Sequence, residues 1–222
     1  MRKWCLVLLI LYVVALPRPC LAQKVQRQQS TSKAQRTEKT QRAQAGYDLN
    51  IALDYFQSGK FHEALMIFSR LDSIYNLNPR IRAYTGLCYY YDNDFSHASR
   101  ILDEALPSLT AFAPQERSVY YHADAESHFI LNQYDAARTA YDSLLVLCPN
   151  RDKAEAYYRL GFINIYKKEW LKALDNLQAA LVYFREYLPD EKARIAQIRN
   201  MIEGCCEKIA STLNSLSKGE GK

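Results

Sequence analysis

An aromatic residue followed three positions later by alanine returns four times along this chain: Phe61–Ala64, Phe95–Ala98, Tyr134–Ala137 and Trp170–Ala173. The alanines stand 34, 39 and 36 residues apart. Each signature follows a short turn-forming stretch: Ser58-Gly59, Asp92-Asn93, Asn132 or Lys167-Lys168. Apolar residues then run at helical spacing, as in Phe61, Ala64, Leu65 and Phe68. A second helical pattern precedes each turn and carries its own small residue: Ala52, Gly86, Ala125 or Gly161. Two antiparallel helices joined by a tight turn pack closely when a small residue on each lets the backbones approach. One such hairpin cannot bury its apolar face alone. A repeat of this period therefore predicts stacked hairpins, each covering its neighbour.

Composition agrees. The 222 residues hold only 7 Gly and 7 Pro but 17 Tyr, which favours long helices over turn-rich sheets. After Pro189, Ile195, Ile198, Ile202, Cys205, Ile209, Leu213 and Leu216 form one apolar stripe, with Asp190 placed to cap the helix. That predicts a closing helix over 189–216 and a frayed tail over 217–222.

The N-terminus reads differently. Arg2 and Lys3 precede an apolar run over Leu6–Leu16, and Cys20-Leu21-Ala22 closes the segment. This order predicts a cleaved signal peptide over 1–22. The run is too short for a spanning helix of about 20 apolar residues. A lipid on Cys20 is the weaker alternative, since Pro17, Arg18 and Pro19 are not a lipoprotein set. Residues 23–44 hold six basic residues and one acidic, with almost nothing apolar, and predict a flexible linker. It reads either as a solvated spacer or as a tether to anionic lipid or polymer. The formal net charge of +5 comes from these two segments, because residues 45–222 hold 20 basic and 23 acidic side chains. That balance speaks against nucleic acid as a partner.

The repeat resembles the tetratricopeptide repeat, over about 45–188. Tyr157, Leu160-Gly161, Trp170, Ala173 and Ala180-Leu181 carry the resemblance best; Asn164 and His128 depart from it. The resemblance implies a right-handed superhelical all-α solenoid of about four hairpins (near 45–78, 79–117, 118–153 and 154–188) plus a capping helix. The connection before the third unit, LPSLTAFAPQ, is longer and is expected to form a loop or a helix extension.

In that family the first helices line a groove that holds a peptide or partner helix. The matching positions here are Leu53, Phe56, Tyr84, Leu87, Tyr90, Tyr91, His122, Glu126, Phe129, Ile130, Tyr158, Arg159, Phe162, Ile165 and Tyr166. Tyr offers rigid area with a hydroxyl, which suits partner binding; many of these rings also suit packing between helices. The Lys/Asn/Arg carboxylate clamp of the co-chaperone subfamily is missing, its places being held by Leu49, Leu53, Ala83, His122 and Tyr158.

No catalytic set and no cofactor motif is present. His62 and His97 follow turns and are expected on the surface. His122/Glu126 and Asp124/His128 stand four apart, as helix-surface ion pairs or fragments of a metal site do. No third ligand lies at useful spacing, so no metal is expected. Cys88, Cys148, Cys205 and Cys206 show no CxxC pair, and spacing leaves a Cys88–Cys148 bridge open.

Together these readings predict a non-enzymatic adaptor or scaffold of the cell envelope, periplasmic in a Gram-negative source and otherwise secreted. It would have no stable membrane anchor after cleavage, and would hold a segment of another protein in the groove. The alternative is a self-associating structural protein whose basic linker touches membrane or wall polymer.

Overall fold

The computed structural model describes residues 19–219, with side chains placed over 35–215. The charged start and apolar run of the expected signal segment, residues 1–18, lie outside the described residues, as do residues 220–222. Among the described residues there are nine α-helices, one 3-10 turn and no strand. They are α1 (Pro19–Gln57), α2 (Phe61–Tyr75), α3 (Pro79–Tyr91), α4 (Phe95–Ala105), the 3-10 turn Leu106–Leu109, α5 (Pro114–Ile130), α6 (Tyr134–Leu147), α7 (Asn150–Tyr166), α8 (Trp170–Tyr187) and α9 (Lys192–Gly219).

The chain divides into two compact units between Asn50 and Ile51. In the first, α1 runs through residues 23–44, where composition predicts a flexible linker. The stretch is polar all round, but it is rich in Gln, Lys, Arg and Ala, which are good helix formers, and holds neither Gly nor Pro. Surface pairs one turn apart support it: Arg42–Glu38 at 2.6 Å and Gln44–Asp48 at 2.9 Å.

The second unit is an all-α solenoid of helix hairpins. Ala64, Ala98, Ala137 and Ala173 are each fully buried, as are Ala52 and Ala125 opposite them in the repeat. Gly86 and Gly161 mark the closest approaches. A Cβ on Gly86 would stand 2.7 Å from Leu102 Cγ, and one on Gly161 2.6 Å from Leu177 Cδ2. Only a residue without a side chain admits the facing leucine at that distance.

The four hairpin turns share one geometry. Gly59, Asn93, Asn132 and Lys168 take left-handed backbone conformations, with φ of 73°, 62°, 59° and 60°. In each, the next amide donates five residues back: Lys60 to Tyr55, Asp94 to Tyr89, Gln133 to His128 and Glu169 to Asn164, all at 2.9 Å. This closure satisfies the last carbonyls of the first helix and reverses the chain. Asp94 then caps α4 by accepting from the His97 amide at 3.2 Å.

The long connection before α5 is packed rather than loose. Leu106 and Leu109 of the 3-10 turn are buried against Ala83, Leu87, Leu102 and Tyr120. Helix α5 starts at Pro114. Arg80 at the start of α3 grips Glu116 with two hydrogen bonds, at 2.7 and 3.0 Å, and lies over Phe112. Helix α9 starts at Lys192, two residues beyond the expected Asp190 cap, after a turn in which the Lys192 amide donates to Asp190 O at 2.8 Å. It continues to Gly219, so Ser217–Gly219 of the expected frayed tail are helical. Its stripe (Ile195, Ile198, Cys205) covers Ala173, Leu177, Ala180 and Phe184 of α8.

Candidate groove on the first helices

The first helix of each hairpin brings its aromatic residues onto one continuous face. Tyr84 of α3 lies against Phe56 at the end of α1, with ring centroids 4.9 Å apart. Tyr91 stacks on Phe61 at 4.1 Å. Tyr90 meets His122 of α5 edge-on at 6.3 Å. Further along, Phe129 of α5 meets Phe162 of α7 at 5.5 Å, and Tyr166 meets Tyr134 at 4.5 Å. Residues three or four apart on a first helix share one face, which brings their rings against those of the neighbouring helices.

Burial divides the expected groove positions into three classes. Tyr91, Ile130, Phe162 and Tyr166 are exposed, at 49, 46, 38 and 65%. Phe56, Tyr84, Tyr90, His122, Phe129 and Arg159 are half-buried. Leu87, Glu126 and Tyr158 are buried. Tyr158 belongs to the core beneath α9, where Arg194 lies 4.4 Å over its ring. A cleft of about 360 Å³ opens where Phe56, Tyr84, Leu87 and Tyr91 meet Phe61 and Val119, with Glu116 also lining it. Sequence reading gives Phe61 only a packing role and passes over Val119. The stripe Val119, His122, Glu126, Phe129 at helical spacing carries the signal for the latter.

One polar network sits within this face. Glu126 accepts two hydrogen bonds from Arg159, at 3.0 and 2.9 Å, and a third from the Tyr141 hydroxyl. Burial first, and the neighbouring Glu126 carboxylate second, push the Tyr141 phenol far above its ordinary range, so it remains a donor. The Arg159 guanidinium also covers the Phe129 ring at 4.6 Å. This bidentate pair ties α5 to α7 and holds Phe129 and Phe162 in place.

The expected ion pair of His122 with Glu126 is replaced by these bonds, because Arg159 offers a planar fork that a single imidazole cannot match. His62 and His97 are exposed and pair with Asp92 and Asp94, at 3.1 and 2.7 Å. Asp124 and His128 do not form a helix-surface pair: they are 3 and 5% exposed, because that face of α5 packs beneath α4. Cys88, Cys148, Cys205 and Cys206 are free thiols, and only Cys206 is exposed.

Solved structures share this architecture. MamA of AMB-1, in space group P212121, matches with a TM-score of 0.61 at 14% identity, over 80% of this chain and 88% of that one. MamA residues 41-end from Desulfovibrio magneticus RS-1 matches at 0.52 and 16% identity, over 80 and 97%. A chain of the APC/C hetero-tetramer Cut9–Hcn1 matches at 0.52 and 16% identity, over 71% of this chain and 29% of that one. The fold is a tetratricopeptide-like helical repeat. No protein-family model and no curated protein sequence matches the chain. Identities this low carry the fold alone.

The comparisons correct one expectation. The solved structures that share the fold are described as MamA, and the likeness gives the exported cell-envelope reading, its periplasmic or secreted location and its signal peptide no support, so that reading is withdrawn. The physical reason is that hairpin stacking depends on buried small residues and turns, none of which is specific to a compartment. The architecture is that of a helix-repeat solenoid with clusters of exposed aromatic residues.

Proposed function

We propose that this chain is a scaffold that binds a segment of a partner protein along the aromatic face of its first helices. The observation that carries the reading is the exposed Tyr91, which lines a preformed cleft of about 360 Å³, with the exposed Phe162 and Tyr166 further along the first helices. Rings already held by neighbouring rings lose little freedom on binding, and they supply most of the energy at protein interfaces. The face bears few free charges, because Arg159–Glu126 and Arg80–Glu116 neutralise one another. The segment it fits is therefore apolar and aromatic rather than strongly charged.

A photo-reactive amino acid placed at Tyr91 or Phe162, and at Val146 on α6 as a control, tests this in the source cells. Crosslinking to one or a few proteins from the first two positions is the expected result, with that from Tyr91 lost in a folded Tyr90→Ala/Phe162→Ala chain. Equal or stronger crosslinking from Val146 would overturn the assignment.

A second reading, self-association, draws on a different observation. Trp170, Leu171, Ile209, Thr212 and Leu213 line an almost wholly apolar cleft of about 330 Å³ between α8 and α9. Leu171 and Leu213 are 67 and 61% exposed there. Apolar surface at the end of a stack is suited to meet a second copy. Sedimentation separates the readings: a Leu213→Asp chain that turns from dimer to monomer supports the second, and a strict monomer before substitution rejects it.

A further inference from the structure

On the other side of α5 from the groove, the structure gathers three ligating side chains that the sequence keeps apart. Asp103 comes from α4; Asp124 and His128 come from one face of α5. His128 Nε2 stands 3.3 Å from Asp103 Oδ2 and 3.5 Å from Asp124 Oδ1. Three ligands of one tetrahedral ion at about 2.1 Å would stand about 3.4 Å apart. The two measured edges match that figure, and all three ligand atoms lie within 4.8 Å of one another.

The hydrogen bonding around these atoms points the same way. His128 Nε2 and Asp124 Oδ1 are both buried and lack a hydrogen-bond partner. The side chains carrying them are only 6 and 5% exposed. The other ring nitrogen, Nδ1, lies 2.6 Å from Gln133 Oε1. An amide oxygen only accepts, so Nδ1 carries the hydrogen, and Nε2, once it sheds any proton of its own, turns its lone pair towards the two carboxylates. A ring nitrogen fixed in this way by a hydrogen bond at its far side is how imidazole is oriented towards a metal. Two buried lone pairs and the exposed Asp103 carboxylate facing one another repel unless a positive charge sits among them. Asp124 and Asp103 also line a cleft of about 360 Å³ with Tyr121, Thr139 and Ser143, which leaves room for water at a fourth position.

We propose that Asp103, Asp124 and His128 form a binding site for a divalent first-row transition ion of the Zn²⁺ type, which pins α4 to α5. One nitrogen and two carboxylate oxygens suit Zn²⁺, whereas Mg²⁺ and Ca²⁺ favour sets made wholly of oxygen. The site has three protein ligands from two adjacent hairpins, so occupancy would stiffen the join between them.

The test uses the full chain, stripped with a chelator and titrated with Zn²⁺ alone against a competing indicator dye. Cys5, Cys20 and Cys206 are replaced by Ser in the background; Cys206 is the exposed thiol among the described residues. One equivalent is expected to bind and to raise the melting temperature. Asp103→Asn, at an exposed position where folding is not at stake, is expected to weaken binding by at least ~tenfold. Co²⁺ in place of Zn²⁺ should give the visible absorption of a tetrahedral site, lost in the same variant. No stoichiometric binding, or unchanged affinity in Asp103→Asn, would overturn the proposal. A proton on Nε2 would then be the charge that holds the cluster together.

Discussion

Lys168 occupies the left-handed turn position that Gly59, Asn93 and Asn132 fill in the other hairpins. For a residue with a Cβ, that conformation costs roughly 1–2 kcal/mol, against roughly 0.5–1 kcal/mol for the added entropy of glycine. Lys168→Gly is therefore expected to stabilise the chain by about 0.5–1 kcal/mol, read as a higher urea midpoint at unchanged slope. Gly161→Ala should do the reverse. Alanine gains about 1 kcal/mol of helix propensity, but its Cβ would meet Leu177, which is fully buried and cannot withdraw. Overpacking costs about 1–3 kcal/mol and dominates, so the melting temperature should fall. At Cys88, burial pushes the thiol up to about 12, so the side chain stays protonated and inert. Alkylation of the native chain should mark Cys206 and spare Cys88 until denaturant is added.

Among the elements, α5 carries the most polar burden, and it is where local pattern says least. The alanines, the turns and the stripe of α9 are legible from sequence because each depends on neighbours within one or two helical turns. The partners of Glu126 are not. Arg159 lies 33 residues away and Tyr141 15 residues away, on different helices. The pattern offers only His122, four positions off, and misses the pair that forms. Asp103 is invisible for the same reason, since nothing near it in sequence shares its site. Residues 23–44 differ in the opposite way: their composition reads as a linker, while their backbone is helical, because helix propensity and surface pairs need no apolar face. Glu126→Gln would leave Arg159 and Tyr141 without a charged acceptor. The expected loss is about 1.5–3 kcal/mol, less than additive with Arg159→Met in a double-mutant cycle of urea melts. Ile198 of α9, fully buried on α8, should cost about 2–5 kcal/mol as Ile198→Ala.

Within the solenoid, stability passes from each hairpin to the next. The last hairpin, α7–α8, has α9 as its outer cover, with Ile195, Ile198 and Cys205 against Phe184 and Leu177. A chain ending at Leu188 should keep α3 to α6 protected while α7 and α8 exchange their amide hydrogens early. Uniform loss of protection would instead mean that the solenoid melts as one block. The aromatic face has a bearing on this as well. Of the expected positions only Tyr91, Ile130, Phe162 and Tyr166 are exposed, so most of the tyrosine content works as mortar between helices. The four turns with one geometry carry a different implication. A chain whose corners are interchangeable can gain or lose a hairpin at a corner without redesign of the rest. On the proposed reading, the length of the segment gripped is then a count of hairpins, adjusted in whole steps as links are added to a bracelet, while α9 closes the clasp at the end.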